Sequence, residues 1–213
     1  MQTTAVSTKS DKAERLRLSA ADWEQAALDL IAEQGLAAVA VEPLARRLNV
    51  TKGSFYWHFA SRDALIEAAL KRWENADVEG LMRQIDPIED PRERLTALFR
   101  RTSHEMRTHV IYSALLNTLD HPAVQPMMQR LSLRRINYLA VAYRALGLPR
   151  RAAMNRARLA YSAYVGFLQL MLQLELPRMD QDEFDSYVVH VVDTLIPVTS
   201  PSASSEKTRT PKS

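Results

Sequence analysis

Apolar residues in this chain recur at helical spacing, and each run is punctuated by residues that open or close helices. Ser19 stands three residues before Asp22, the pattern of a capping box, ahead of Trp23, Ala26, Ala27, Leu30 and Ile31 on one helix face. Gly35 predicts a left-handed C-terminal residue for that helix. Pro43 fits only the first turn of a short helix from Glu42 to Leu48, where its missing N–H is not needed. Asn49, Val50 and Thr51 then form a turn: Asn tolerates the left-handed conformation, and Thr51 can cap a helix from Lys52 to Phe59. Ser61 caps the next helix, whose Leu65, Ile66, Ala69, Leu70 and Trp73 face a core. Pro91 and Pro149 at helix starts, Gly147 after an end, Pro177 as a break and Asp180 with Glu183 as a second box place helices at about 91–107, 109–118, 123–146, 149–175 and 181–196. No stretch alternates in the manner of a strand, so the expected fold is all-α.

Composition removes several function classes. Apolar residues make up 46% of the 213 and charged residues 25%, an ordinary globular balance. With no Cys there is no disulfide, thiolate metal site or Cys nucleophile. The five His residues (His58, His104, His109, His121 and His190) include no pair at i, i+4 and no H-E-x-x-H, so neither a metal nor another cofactor is expected. No G-x-S-x-G or phosphate-cradling Gly loop occurs, and the acidic cluster Asp180, Asp182, Glu183 and Asp185 coincides with a helix start, where carboxylates are favoured anyway. The expectation is therefore not an enzyme. The polar N-terminus is no secretory signal and no apolar run suffices for a membrane span, which predicts a cytoplasmic protein.

The net charge of +3 decides nothing as a total, but its distribution does. Between Pro43 and Arg62 stand Arg46, Arg47, Lys52 and Arg62 and no carboxylate. That basic stretch coincides with LARRLNVTKGSFYWHF, residues 44–59, which reads as two short helices joined by a three-residue turn. This is the helix-turn-helix plan, whose second helix lies in the major groove of DNA. Leu44, Ala45, Leu48, Val50 and Phe55 can pack the two helices together, leaving Arg46, Lys52, Ser54, Tyr56 and His58 outward.

The run Val50, Thr51, Lys52, Gly53, Ser54, Phe55, Tyr56, Trp57, His58, Phe59 resembles the Val-Ser/Thr-Lys-Gly-x-x-Tyr-x-His-Phe signature of the tetracycline-repressor (TetR) family of transcriptional regulators. The resemblance covers roughly residues 19–72, the three-helix head and the start of the fourth helix. It implies a role for each matching residue. Thr51 would cap the recognition helix and meet a phosphate; Lys52 and Ser54 would meet base edges or phosphates, with Gly53 letting the DNA backbone approach. Tyr56, His58 and Arg62 would contact phosphates, Arg46 would face the duplex, and Trp57 would partly pack against the first helix. Two departures stand out. Where the family often caps the first motif helix with Thr, this chain has Ala40, Val41, Glu42 and Pro43, and DNA would repel Glu42 unless it accepts from a cytosine amino group.

The expected organisation is a flexible arm over 1–18, the DNA-binding head over 19–62, a helical effector-binding and dimerisation domain over 63–199, and a disordered tail over 200–213. In the last two helices Leu159, Ala163, Gly166 and Leu170, with Phe184, Val188, Val191 and Leu195, predict a two-fold homodimer built as a four-helix bundle. In the family the middle helices enclose a ligand pocket, and His104, Tyr112, Phe99 and Tyr138 are the candidates here. The function this implies is a sequence-specific regulator, a repressor released from a palindromic double-stranded operator by a small-molecule effector. A non-specific or architectural DNA binder is the alternative, and a small helical enzyme a further one.

Overall fold

A computed structural model describes residues 18–197, apart from the side chains of 77–79, 81 and 82; the expected arm and tail lie outside this range, save Leu18. The described chain is helical, without a strand among the described residues. It runs through α1 (Ala20–Gln34), a 3-10 turn (Leu36–Ala38), α2 (Val41–Arg47), α3 (Lys52–Tyr56) and α4 (Arg62–Ile85). Then follow α5 (Pro91–His104), α6 (Met106–Leu116), α7 (Val124–Ala145), α8 (Arg150–Leu174) and α9 (Gln181–Leu195). No described helix is long and apolar enough to cross a membrane.

Most helix ends follow from local chemistry. The Asp22 carboxylate accepts from the Ser19 N–H and hydroxyl, both at 2.7 Å. Asp90 accepts from the Glu93 N–H at 2.8 Å with Pro91 behind it, and Asp180 and Glu183 bond reciprocally across the start of α9. Ser61 accepts from the Ala64 N–H at 3.1 Å. Gly35 has φ 82 and ψ 170, so it turns the chain through positive φ but outside the left-handed helical basin expected of it, because a 3-10 turn follows at once. Asn49 takes φ 54, as expected.

Two compact units emerge. The first joins residues up to Gly80 with Met106–Leu131, the second Leu81–Glu105 with Ser132 onward. In the first unit α1 packs on α2 and on α6, and α2 on α3. Its core is Trp23, Phe55, Ile31, Leu44, Leu65, Ile66 and Leu70, with Trp23 meeting Phe55 edge-on at 5.3 Å. Ion pairs tie α6 to α1 (Arg107 with Asp29) and α7 to α4 (Arg130 with Glu74, 3.1 Å). In the second unit α9 packs on α5 and turns Val188, Val192 and Leu195 inward. Arg156 donates to the Leu195 carbonyl at 3.0 Å and Arg92 to the Pro197 carbonyl at 2.7 Å, so two cations satisfy carbonyls at the C-terminal end of α9.

Candidate nucleic-acid interface

The helix-turn-helix follows from how few residues its second helix has. α3 is only five residues long, and Phe55 and Phe59 take the inward positions with their rings 5.8 Å apart. Leu44 and Ala45 are buried beneath them, while Leu48 and Val50 are half-buried. The turn is closed by the Val50 N–H donating to the Ala45 carbonyl at 2.9 Å and the Asn49 N–H to the Arg46 carbonyl at 3.1 Å, the pattern of a helix terminated by a positive-φ residue.

What remains outside is a polar and aromatic surface. Thr51, Lys52, Gly53, Tyr56, Trp57 and Arg46 are exposed, and Ser54 and His58 are half-buried. Thr51 occupies the N-cap position of α3, but its hydroxyl makes no capping hydrogen bond to the helix. A Cβ at Gly53 would meet only Thr51 Oγ1, at 3.7 Å, so the fold itself has no need of glycine there. Trp57 departs from its expected packing on the first helix and is 88% exposed. The inward face of so short a helix is already filled by Phe55, and a residue two positions on points elsewhere.

The cations are arranged differently from a bare basic patch. Arg47 forms a two-pronged pair with Glu33 of α1, at 2.6 and 2.7 Å, and its hydrogen bonds hold the Glu33 carboxyl below the usual carboxylate range. Lys52 Nζ lies 2.9 Å from Glu42 of α2, and that bond likewise holds the Glu42 carboxyl low. The Arg62 side chain turns inward: Nε donates to the Val39 carbonyl at 2.5 Å and a terminal nitrogen to the Leu36 carbonyl at 3.3 Å, so it braces the 3-10 turn. Among the described residues Arg46 alone of the four has no ion pair. These pairings join residues 10 to 14 positions apart across helices, beyond what local spacing shows.

Residues 25–69, which contain this motif, match the family of bacterial regulatory proteins called tetR. Those residues form a TetR-type N-terminal segment. No curated protein sequence matches the chain. Its fold is similar to solved structures of bacterial transcriptional regulators. A regulator from Saccharomonospora viridis in complex with choline superimposes with a TM-score of 0.72 at 18% identity, over 83% of this chain and 94% of that one. A TetR-family regulator from Agrobacterium tumefaciens gives 0.69 at 14%, over 84% and 97%. A transcriptional regulator from Rhodococcus sp. gives 0.67 at 21%, over 84% and 94%. The all-α fold with an N-terminal helix-turn-helix is the one expected.

The other candidate residues fall in different places. Tyr112 is buried in the first unit, its ring 6.4 Å from that of Trp73. His104, Phe99 and Tyr138 belong to the second unit. His104 is exposed, with Nδ1 2.7 Å from the Arg100 carbonyl and Nε2 3.7 Å from Asp185. Tyr138 donates to Asp86 at 3.2 Å, and burial, with the Asp86 charge beside it, pushes its phenol up to about 12. Among the described residues the buried Tyr143 hydroxyl has no hydrogen-bond partner, and burial raises it to about 12 as well. On α8 the stripe Leu159 (60% exposed), Ala163, Gly166, Leu170 (46%) and Leu174 (62%) is open. The α9 part of the expected dimer set is placed otherwise: Val188 and Leu195 are buried inside the chain and Phe184 and Val191 half-buried, because α5 covers that face.

Proposed function

We propose that the chain is a sequence-specific regulator that binds a palindromic operator as a homodimer and is released from it by a small-molecule effector, so that it acts as a repressor. The observation that carries the DNA-reading assignment is the outer face of α3. Tyr56, 64% exposed, and Trp57 stand in water beside an uncapped Thr51 hydroxyl, Lys52, and a glycine that the fold does not need. Large aromatics are left exposed at this cost where a partner covers them. Thr51, Tyr56 and His58 are the phosphate contacts in this reading, with Arg46 the available cation. Ser54 meets base edges, Lys52 meets a base edge or a phosphate, Gly53 admits the backbone, and Trp57 lies along the sugars. Arg62, first assigned to a phosphate, acts by holding the 3-10 turn.

Dimerisation is supported by α8. A Cβ at Gly166 would meet nothing within 4 Å, so this small position serves no contact inside the chain and suits close approach by a second copy. Such a dimer carries two recognition helices and requires an inverted repeat. The effector reading rests on the second unit, where Phe99, His104 and Tyr138 offer apolar surface with polar groups and Tyr143 an unused hydroxyl. An effector acts by preferring the dimer whose heads are wrongly spaced, with α4 as the covalent route from one unit to the other. The head over 19–62 carries five acids and four bases, a poor electrostatic match for an architectural or non-specific binder. Selection of genomic DNA fragments by the purified protein tests the reading: a recurring inverted repeat is expected, and binding indifferent to sequence contradicts it.

A further inference from the structure

The Glu42–Lys52 pair joins the first turn of α2 to the first residue of α3, on the exposed surface that the proposed function gives to DNA. Lys52, Arg46 and Arg47 are the exposed lysine and arginine residues of the motif, and Arg47 is already paired with Glu33. The Lys52 ammonium is not bare: the Glu42 carboxylate sits on it at 2.9 Å, where a phosphate oxygen would otherwise go. Any phosphate approaching Lys52 therefore also approaches a carboxylate, and gains little from the cation until that carboxylate moves aside.

We propose that Glu42 is a specificity-determining residue, an intramolecular brake that occupies Lys52 and lowers the affinity of the head for DNA of arbitrary sequence. The inference rests on the DNA-reading assignment above. Attraction between cations and phosphates is indifferent to sequence and supplies nearly all non-specific binding, whereas base-edge contacts are short-ranged. Occupying a cation with an internal carboxylate thus removes the sequence-blind part and spares the rest. A regulator competes with an enormous excess of non-specific sites, so the ratio of the two affinities matters more than either alone. The arrangement of the neighbouring cations points the same way: Arg47 is taken by Glu33 and Arg62 by backbone carbonyls, leaving Arg46. The head offers sequence-blind DNA little, and Glu42 is the group whose removal would offer it more.

The test is binding of the full chain to a short random-sequence duplex, followed by fluorescence anisotropy across a salt series. Glu42→Gln keeps the shape and removes the charge. It is expected to tighten binding at low salt by roughly three- to tenfold and to steepen the logarithmic salt slope by about 0.9, the value of one recovered phosphate contact. In a Lys52→Met background the same Glu42→Gln change is expected to leave the slope unaltered, since no cation is released. Unchanged affinity and slope in Glu42→Gln would overturn the brake. So would a steepening that persists without Lys52, which would make Glu42 a general repulsive charge. Failure of the unsubstituted chain to bind any duplex at low salt is a different result, for it removes the DNA-reading assignment itself. Circular dichroism of each variant confirms that the helices are retained.

Discussion

Gly53 sits in the first turn of α3, where an added Cβ would make only an ordinary contact with Thr51 Oγ1, so its two possible costs can be separated by experiment. Within the chain glycine only loosens the unfolded state, and Gly53→Ala is expected to stabilise the head by about 0.4–1 kcal/mol in thermal or urea unfolding. On DNA the added methyl stands where the sugar-phosphate backbone approaches, so the same variant is expected to bind more weakly. Higher stability with undiminished binding would remove Gly53 from the interface. Arg62 is the reverse case. Its guanidinium bonds two backbone carbonyls, and Arg62→Ala is expected to cost about 1.5–3 kcal/mol of stability, read from urea midpoints. Tyr138 and Tyr143 titrate late. Their folded values near 12 lie above the unfolded value of 10, so the stability they contribute is complete below pH 10 and is lost as pH rises from there toward 12. Tyrosinate absorbance should lose the late-ionising contribution of these two groups in the double Tyr138→Phe, Tyr143→Phe variant, which should also unfold less steeply over that range.

At the scale of elements, α8 presents an apolar stripe that its own chain leaves uncovered. Gly166→Leu meets no atom within the chain and should fold normally, yet it would hold a second α8 apart. Sedimentation velocity is expected to show a dimer for the unsubstituted chain and a monomer, or a dimer weakened at least tenfold, for this variant; an unaffected dimer would place the interface elsewhere. The helices themselves were legible in the sequence because their signals are local. Ser19 with Asp22, Asp90 before Pro91, and Asp180 with Glu183 act within three or four residues, and α1, α2, α5 to α9 lie close to where the caps put them. What spacing could not show is which neighbour covers an apolar face. The inward stripe of α9 looked free for a partner and is taken by α5. Trp57 failed for a related reason: α3 stops at Tyr56, too short for a second turn to bring the indole back onto α1. The charge pattern misled by one position, since counting from Pro43 leaves out Glu42, the carboxylate that meets Lys52 across the turn.

For the whole molecule, the proposed function needs two of these chains. One head has one available cation and a handful of polar and aromatic contacts, too little for a selective affinity, whereas two heads on a two-fold axis double the reading and demand an inverted repeat. Changes at the interface should then divide by kind. Tyr56→Phe, which loses a phosphate contact, is expected to weaken binding to every duplex alike, and Ser54→Ala to alter preference at particular base pairs. The most direct test of the central claim is in vitro selection from a random DNA pool with the purified chain, sequenced to convergence. The account predicts enrichment of an inverted repeat with half-sites about one helical turn apart or somewhat more, and a preference within each half that shifts in Ser54→Ala. Enrichment of no common sequence, or of a single asymmetric site bound by one copy, would contradict it.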